Sequence, residues 1–438
     1  MKFLTSPGAP LSGSIRVPGD KSISHRSIMF GSLAEGVTEV SGFLQGADSL
    51  ATLAAFRAMG VEITDPVNGN LTISGVGLHG LQAVNRALDM GNSGTSMRLL
   101  TGILAGQNFD SELTGDSSLQ KRPMARITAP LSLMGSSIDM AAGGLPPLNI
   151  HGRKNLVGIE YSMPMASAQV KSSVLLAGLY AKGETAVIEP APTRDHTERM
   201  LRAFGYEVET DDMRSSLIGG GSLQGCSIDI PADISSATFF MVAASICPDS
   251  SIVLENVGIN PTRIGVINIL KQMGARLELR NERFSGDEPV ADIAVSYAPL
   301  KGIDIPESQV PLAIDEFPAL FVAAACAEGT TRLTGAEELR VKESDRIQAM
   351  ADGLTALGIE NSPTADGIEI QGCAGDGDVF SSGTVNSLDD HRIAMAFAVA
   401  GLRCGGQITI LDSDNVATSF PNFVELAQKA GFGIEVIA

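Results

Sequence analysis

The stretch DRIQAMADGLTALG, residues 345–358, carries a pattern that recurs along the chain and indicates the architecture. It has the spacing of an amphipathic helix and ends in an apolar residue followed by glycine, a common way for a helix to stop. The same step closes five other helix-like segments, and the six glycines are Gly60, Gly135, Gly205, Gly274, Gly358 and Gly431. The intervals between them are 75, 70, 69, 84 and 73 residues, and strand-like stretches such as VEIT or ARLELR follow. The sequence therefore predicts an internal repeat of about 70 residues.

A second helix-like segment, rich in small residues, lies upstream of each step. Examples are SISHRSIMFGSLAEG (22–36), SATFFMVAASICPDS (236–250) and FPALFVAAACAEG (317–329), each followed by a turn and a β-branched stretch. These segments have almost no polar face, so we expect buried helices with sheets packed around them. The predicted unit is strand, small-residue helix, strand, longer helix, strand, and six such units nearly exhaust the chain. Two groups of three units is the simplest arrangement of this α/β protein, and a single six-unit ring is the alternative.

Composition narrows the class of protein. The chain has 438 residues, 44% of them hydrophobic and 18% charged, which is typical of a folded protein of two or three domains. The net charge of −19, with no basic run, argues against a nucleic-acid partner. Five widely spaced cysteines without a C-x-x-C pair favour reduced thiols over disulfides or a zinc site. The N-terminus lacks a signal peptide, and the longest apolar stretch, 317–327, is too short for a membrane span, so we expect a cytoplasmic protein.

Polar clusters stand at the predicted starts of the apolar helices, as in PGDKSISHR (18–26), GNSGTSMR (91–98) and ASAQVKS (166–172). Helix N-termini attract anions, but each contributes only about 0.3–1 kcal/mol at an exposed position, so fixed cations must do most of the binding. The candidate cations are Lys21, Arg26, Lys121, Arg122, Arg126, Arg194, Arg340, Lys342, Arg346 and Arg392. Surface salt bridging is the alternative for any one of them taken alone.

Carboxylates near these cations are candidates for acid–base chemistry. Asp315 and Glu316 precede an apolar helix, and Glu343 lies between Lys342 and Arg346, although a carboxylate in such a position often only caps the helix. Asp390 and His391 form a possible cap and orienting pair. The chain has no P-loop, H-E-x-x-H or G-x-S-x-G motif, and GNSGTS does not fit G-x-G-x-x-G, so neither a cofactor nor a metal is expected. Group transfer on anionic small molecules, by positioning and acid–base catalysis, is the remaining fit.

The polar motifs resemble those of the 5-enolpyruvylshikimate-3-phosphate (EPSP) synthases. They run in order from about Pro18 to Phe423 and are PGDKSISHR, GNSGTSMR, GDSSLQKRPMARI, PMASAQVKSSVLLAGL, TRDHTERML, NPTRIGVI, IDEFPAL, ELRVKESDRI, DDHRIAMAF and ATSFPNF. Three of them, PGDKSISHR, MASAQVKS and RVKESDR, are similar to the bacterial class II subgroup, which includes glyphosate-tolerant members.

The resemblance implies transfer of the enolpyruvyl group of phosphoenolpyruvate (PEP) to the 5-hydroxyl of shikimate 3-phosphate, with release of phosphate. It implies a two-domain inside-out α/β barrel with three units per domain and the active site in the cleft between domains. One domain would span residues 20–232, and the other would combine 1–19 with 233–438. A monomer without membrane or nucleic-acid partners is expected.

The resemblance also implies roles for individual residues. Contacts to shikimate 3-phosphate are implied for Lys21, Ser22, Arg26, Ser167, Ala168, Gln169, Arg194, Asp315 and Lys342, with Arg194 on the 3-phosphate. A PEP pocket is implied for Lys21, Asn92, Gly94, Arg122, Gln169, Arg346 and Arg392. Lys21 would reach both substrates. In catalysis, Asp315 would be the base toward the 5-hydroxyl, Lys342 its bridging partner and Glu343 the donor to the methylene carbon, but how they divide the two proton transfers stays open.

The sequence departs from part of the family at Thr418, where enteric-type members carry a lysine. Tolerant members tend to have alanine where this chain has Gly94, so we expect it to bind glyphosate more readily than they do. The nearest alternative is the sister transferase that acts on UDP-N-acetylglucosamine, which has a reactive cysteine in a mobile loop. The corresponding region, 115–126, contains no cysteine. A non-catalytic anion-binding protein on the same scaffold is the other alternative, and a phosphate-release assay separates it from an enzyme.

Overall fold

The computed structural model describes residues 1–152, 155–373, 375 and 377–437. Within these residues the helices are α1 (Lys21–Leu33), α2 (Ala47–Ala58), α3 (Gly94–Ala105), α4 (Ala125–Leu133), α5 (Ala168–Gly178), α6 (His196–Ala203), α7 (Ile234–Ile246), α8 (Gly265–Gln272), α9 (Phe317–Ala325), α10 (Arg346–Ala356), α11 (His391–Ala400) and α12 (Phe423–Ala430).

The strands of the same residues are short and evenly distributed. They are β1 (Lys2–Ser6), β2 (Ser12–Ile15), β3 (Ala34–Ser41), β4 (Glu62–Ile63), β5 (Leu71–Val76), β6 (Leu88–Asp89), β7 (Ser111–Thr114), β8 (Ser137–Ala141), β9 (Leu145–His151), β10 (Glu160–Ser162), β11 (Glu184–Ile188), β12 (Glu209–Asp211), β13 (Arg214–Ile218), β14 (Leu223–Gln224), β15 (Ser227–Asp229), β16 (Ser251–Gly258), β17 (Arg276–Ser285), β18 (Glu288–Ser296), β19 (Gly329–Leu333), β20 (Asn361–Pro363), β21 (Ile368–Gly372), β22 (Gly383–Asn386), β23 (Ile408–Leu411) and β24 (Gly433–Ile437).

The chain divides into two compact units, each with its own hydrophobic core. Unit 1 comprises Met1–Pro18, Pro231–Phe284 and Pro289–Ala438, and unit 2 comprises Gly19–Ile230 and Ser285–Glu288. The four residues 285–288 include the turn between β17 and β18. They are held within unit 2 by hydrogen bonds from the Ser285 hydroxyl to the Asp229 carbonyl (2.7 Å) and from Arg199 to the Asp287 carbonyl (2.8 Å).

Each unit is built from three small sheets, and most of the six share one strand arrangement. In unit 2 the strand orders are β6-β7-β9-β8, β10-β11-β13-β12 and β14-β3-β5-β4, with β15 also pairing with β3. In unit 1 they are β22-β23-β1-β24, β2-β16-β18-β17 and β19-β21-β20. Four of the sheets pair one edge strand parallel to the next and the remaining strands antiparallel, as in β10, β11, β13 and β12. The sheets are thus the structural form of the repeat seen in the sequence.

The small-residue helices lie in the interior of their units. All residues of α7 and of α9 are buried, as the absence of a polar face predicted. The second helices of the repeat, such as α6, α8 and α12, are amphipathic, with charged residues such as Arg202, Lys271 and Lys429 in their last turns. These three have eight residues each and α7 has thirteen, so the expectation that the second helix is the longer one is wrong. No helix in the described part of the chain combines the length and apolar composition that crossing a membrane requires.

The six repeated glycines have a common structural role. Each follows the last turn of the second helix of its repeat and has a positive φ, from 79° at Gly205 to 117° at Gly431. Side chains strongly disfavour this left-handed conformation, whereas glycine adopts it without a steric penalty, so the step reverses the chain into the next strand. The recurrent apolar-glycine pair is therefore a helix C-terminal signal repeated six times.

Candidate active site

The start of α1 in unit 2 presents two of the predicted cations. Asp20 caps the helix by accepting a hydrogen bond from the Ile23 amide (2.8 Å), which fixes the first turn. Lys21, the first helical residue, forms an ion pair with Asp48, a buried carboxylate in the first turn of α2. Arg26 lies one turn further along and is 3% exposed.

The Arg26 guanidinium is held from several directions. Its Nε donates to Thr197 Oγ1 (2.7 Å), one terminal nitrogen donates to Ser172 Oγ (2.8 Å), and the other donates to the Ser22 carbonyl (3.1 Å). Burial lowers the pKa of Arg26 to about 10, partly offset by Glu198, and Arg194 adds a lowering effect. Arg26 remains charged at neutral pH, and the positive charge of Arg194 acts on it.

The start of α3 gathers a second cluster. Ser93 caps the helix, and Asn92 accepts a hydrogen bond from Arg122 (2.7 Å) while donating to Asp116 (2.8 Å). Gly94 lies against arginine side chains, since a Cβ built on it would stand 3.2 Å from Arg98 Nη1 and 3.3 Å from Arg122 Nη1. This glycine therefore leaves space for the arginine tips.

The start of α5 is linked to the start of α3 through one amide side chain. The Gln169 oxygen accepts a hydrogen bond from Arg98, and its nitrogen donates to Thr95 Oγ1 (3.1 Å). Ser167 caps α5 by accepting from the Val170 amide (3.4 Å), and Ala168 is the first helical residue. Unit 2 thus groups most of the predicted binding residues at the N-termini of α1, α3 and α5.

In unit 1 the predicted residues are organised around Arg346, the first residue of α10 and 1% exposed. Its guanidinium donates to Asp390 Oδ2 (2.8 Å), Glu343 Oε2 (2.7 Å) and Asp315 Oδ1 (3.2 Å). Burial lowers the pKa of Arg346, but Asp390, Glu343 and Asp315 more than offset this and raise it overall. One permanently charged group therefore holds two of the proposed catalytic carboxylates in fixed positions.

The other predicted side chains of unit 1 meet at Asp315. Arg392 donates to the Asp315 main-chain carbonyl (2.9 Å) and lies 3.8 Å from its carboxylate. Lys342 Nζ is 4.0 Å from Asp315 Oδ1 and 2.7 Å from Glu338. Glu316 makes no capping hydrogen bond to α9, and its carboxylate instead accepts from Ser235. The alternative that this carboxylate merely caps the helix is therefore wrong.

Two of the positions singled out in the sequence make ordinary structural contacts. Arg340 forms a salt bridge with Asp345 (2.6 Å) and donates to the Ala365 carbonyl (2.8 Å), which is the surface role given as its alternative. Thr418, at the position where part of the resembling family has lysine, donates its hydroxyl to the Asn415 carbonyl (2.7 Å). No group of three or more His, Cys, Asp or Glu in the described ranges is arranged to hold a metal ion.

Sequence reasoning missed one supporting residue and the partners of two others. Asp48 has no local motif, so nothing in its neighbourhood indicates that it pairs with Lys21. Asp390 caps α11 through the Arg392 amide (2.9 Å), as the sequence suggests, but both of its oxygens also accept from Arg346, at 2.8 and 3.4 Å, which the sequence does not indicate. Arg98 belongs to the polar GNSGTSMR cluster, and its partner Gln169 lies in a different motif.

Comparison with known proteins identifies the family. The sequence model described as EPSP synthase (3-phosphoshikimate 1-carboxyvinyltransferase) matches residues 5–426. The chain belongs to the EPSP synthase family. Family members named 3-phosphoshikimate 1-carboxyvinyltransferase include one from Methylococcus capsulatus, 64% identical over 99% of this chain and 98% of the relative. Another, from Hydrogenovibrio crunogenus, is 61% identical over 100% of this chain and 99% of the relative.

Two solved structures identify the fold. The EPSP synthase of Acinetobacter baumannii superposes with a TM-score of 0.91 at 62% identity, and each chain is covered completely. The enolpyruvyl transferase NikO of Streptomyces tendae, at 17% identity, shares the fold alone, with a TM-score of 0.78 over 99% of this chain and 98% of its own. The predicted fold class is confirmed, and the chain has the two-domain inside-out α/β barrel of the enolpyruvyl transferases.

Proposed function

We propose that this chain catalyses the reaction for which its family is named, the transfer of the carboxyvinyl group of PEP to the 5-hydroxyl of shikimate 3-phosphate. Full-length membership of the EPSP synthase family supports the reaction. The observation that carries the mechanism is the Arg346 guanidinium, which holds Asp315 and Glu343 at 3.2 and 2.7 Å. An acid and a base at fixed positions beside cations are what addition and elimination on anionic substrates require.

Shikimate 3-phosphate would bind mainly to unit 2. Arg26 and Arg194, whose charges influence each other, are suited to hold the 3-phosphate, because guanidinium groups bind phosphate in a bidentate manner. The free amides and side chains at the start of α5, Ser167, Ala168 and Gln169, would contact the rest of the molecule. Ser22 lies beside Arg26 and would complete this set.

PEP would be bound by Arg122, Arg346 and Arg392, with Asn92 and Gly94 shaping the pocket and Gln169 at its edge. The hydrogen bond between Arg122 and Asn92 holds that guanidinium in one orientation at the start of α3. Lys21 would contact both substrates, and its pairing with Asp48 supports a fixed position for the ammonium. We propose that the two units act on one pair of substrates.

The proposed chemistry has two stages. Glu343 gives a proton to the methylene carbon of PEP, which makes C2 cationic, while Asp315 takes the proton of the 5-hydroxyl as its oxygen adds to C2. The product of this stage is a tetrahedral phosphate ketal. The phosphate then leaves with the proton that Asp315 took up, and the new methyl group returns a proton to the Glu343 carboxylate as the double bond is restored. Both carboxyl groups are then in their starting states. Lys342, 4.0 Å from Asp315, would share the proton transfers on this side.

The test is phosphate release from PEP by the purified full-length chain, which should depend strictly on shikimate 3-phosphate. Glu343→Gln should lower kcat by roughly 100- to 10,000-fold, the usual contribution of a general acid or base. Glu369→Gln is the matched control, because Glu369 pairs with Arg332 at 3.0 Å in the same unit and should keep full activity. Phosphate release with UDP-N-acetylglucosamine instead would favour the sister transferase, and no release with either acceptor would leave an anion-binding protein.

We further propose a cytoplasmic monomer that needs neither metal nor cofactor. The five cysteines are free thiols, which fits a reducing compartment. The proposed reaction moves protons and a carbon–oxygen bond without a change of oxidation state, so activity should survive dialysis against EDTA. Light scattering during size-exclusion chromatography should give a mass near 45.5 kDa, and a dimer mass would refute the monomer.

A further inference from the structure

Lys171 is buried in α5, with 1% of its surface exposed, and it has no part in the reaction proposed above. Its Nζ lies 2.7 Å from Glu189 Oε2 and 2.7 Å from Glu198 Oε1. Burial lowers the pKa of Lys171, but the two carboxylates more than offset this and raise it overall, so the ammonium is charged. A buried ion cluster of this kind is costly to form unless its geometry is well satisfied, which makes its location informative.

On one side, the cluster contacts the segment that carries Arg194. The second oxygen of Glu189 accepts a hydrogen bond from the Thr193 hydroxyl, and Lys171 Nζ also lies 3.5 Å from the Thr193 carbonyl. Glu189 itself directly follows β11 and is tied by its amide to the Met213 carbonyl (2.9 Å). The residue immediately before Arg194 is therefore anchored through both its side chain and its main chain.

On the other side, the cluster is connected to Arg26 through residues next to Lys171 and Glu198. Lys171 and Ser172 are neighbours on α5, and Thr197 and Glu198 are neighbours on α6. In each pair, the charged member joins the cluster and the hydroxyl member accepts a hydrogen bond from Arg26, at 2.8 Å for Ser172 and 2.7 Å for Thr197. The two hydroxyls are themselves 2.7 Å apart. The contact between Lys171 and Glu198 thus ties together the two helices that form the Arg26 site.

Lys171 and Arg26 share the influence of one carboxylate. Glu198 contacts Lys171 at 2.7 Å, and its charge also raises the pKa of Arg26, although other nearby charges act on that guanidinium as well. Replacing Lys171 by an apolar residue would leave an excess negative charge on Glu189 and Glu198 and would remove the contact of the Thr193 carbonyl. The hydrogen bond of the Thr193 hydroxyl would then end on a carboxylate that Lys171 no longer holds in place.

We propose that Lys171 is a positioning residue that holds Arg26 and Arg194 in register for the 3-phosphate of shikimate 3-phosphate. The inference rests on the proposed function, because it assigns these two arginines to that phosphate. It predicts an effect on one substrate only, since the described contacts of the Lys171 ammonium are with Glu189, Glu198 and the Thr193 carbonyl, which are not among the residues assigned to PEP. A merely structural role would instead affect both substrates or neither.

The experiment compares Lys171→Met with the wild type in steady-state kinetics and in direct binding of shikimate 3-phosphate by calorimetry. We expect KM and Kd for shikimate 3-phosphate to rise at least tenfold, with KM for PEP unchanged within twofold at saturating shikimate 3-phosphate. The double variant Lys171→Met/Glu189→Gln removes the excess charge, so it should regain most of the lost thermal stability. Its affinity for shikimate 3-phosphate should stay low, because the Thr193 carbonyl still lacks its contact with Lys171 and no ion pair joins α5 to Glu198.

Arg403→Met is the control for the loss of a buried cation. Arg403 is 5% exposed, lies in unit 1 and donates to the main-chain carbonyls of Gly375 and Gly377 (both 2.6 Å), so its loss should lower stability and spare both KM values. Equal changes in the two KM values, or wild-type kinetics in both Lys171 variants, would overturn the inference while leaving the function in place. A wild-type protein that does not use shikimate 3-phosphate would overturn both.

Discussion

Gly94 is the position where the addition of one methyl group should most change the affinity of the site for PEP and glyphosate. It is the first residue of α3, and a Cβ there would stand 3.2 Å from Arg98 Nη1 and 3.3 Å from Arg122 Nη1. Ordinary contacts of a Cβ are longer, so both guanidinium tips must retreat by a few tenths of an ångström. Arg98 is held by Gln169 and Arg122 by Asn92, so neither can retreat without loosening one of these hydrogen bonds.

The size of the effect follows from these hydrogen bonds. A hydrogen bond to a charged group contributes about 1.5–3 kcal/mol, so misaligning Arg122 should cost PEP about 1–2 kcal/mol of binding. Because about 1.4 kcal/mol corresponds to a factor of ten, KM for PEP should rise roughly 5- to 30-fold in Gly94→Ala. Glyphosate separates its phosphonate from its carboxylate by one bond more than PEP separates its phosphate, so the encroaching methyl should weaken the inhibitor further than the substrate.

The assay is phosphate release at varied PEP and glyphosate concentrations, with the ratio of inhibition constant to KM as the readout. Gly383→Ala is a matched control, since its new methyl would meet Leu357 Cδ2 at 3.2 Å and the Ala356 carbonyl at 3.3 Å, away from the arginines. We expect the ratio to rise in Gly94→Ala and to stay constant in Gly383→Ala. The reasoning fails if the ratio in Gly94→Ala does not change, or if the wild type shows no inhibition at high millimolar glyphosate.

Two further predictions concern buried charge. Asp390→Asn removes a fully buried carboxylate that accepts hydrogen bonds from Arg346 and Ser344. The free energy of unfolding should therefore fall by about 3–5 kcal/mol in urea titrations, and KM for PEP should rise at least tenfold. An unchanged KM would contradict the assignment of Arg346 to PEP. Burial, with Lys21 and Arg26, lowers the pKa of His25 well below its usual value, so below about pH 6.5 the unfolded chain binds a proton that the folded chain does not. The free energy of unfolding should therefore carry no penalty from His25 above that pH and should fall by up to about 1.4 kcal/mol per pH unit below it. Urea unfolding of His25→Asn and of the wild type at pH 5.5 and 7.5 should show that the substitution removes this pH dependence.

The repeat could be predicted from the sequence because its determinants are local. The positive φ of Gly358 follows from the helix that precedes it, and the burial of α7 follows from the composition of its own thirteen residues. Three of the sheets follow from short β-branched stretches whose partners lie within one unit of the repeat, whereas β1, β2, β14 and β15 pair with strands that are distant in the chain. Six imperfect copies reinforce one another, so a weak local signal became a reliable prediction of architecture.

The candidate site could be predicted only in part, because only some of its contacts are local in sequence. The contact between Glu343 and Arg346 joins residues three positions apart and is visible in the motif. The contacts of Lys21 with Asp48 and of Arg346 with Asp390 join residues that are distant in the chain, and neither carboxylate has a neighbouring pattern that indicates its partner. Which carboxylate serves which cation depends on how the helices pack, and packing is a property of the whole unit.

The net charge of −19 raises the question of why an acidic protein should place carboxylates against the very cations that bind its anionic substrates. Coulomb's law alone predicts that removing Asp390 would favour PEP, because a negative charge near the pocket disappears. The geometry predicts the opposite sign. Arg346 is buried and held at one edge by Asp390, so the carboxylate fixes the guanidinium before substrate arrives and less side-chain entropy is lost on binding. Weaker PEP binding in Asp390→Asn would therefore mean that orientation of the cation outweighs its net field, and tighter binding would mean the reverse.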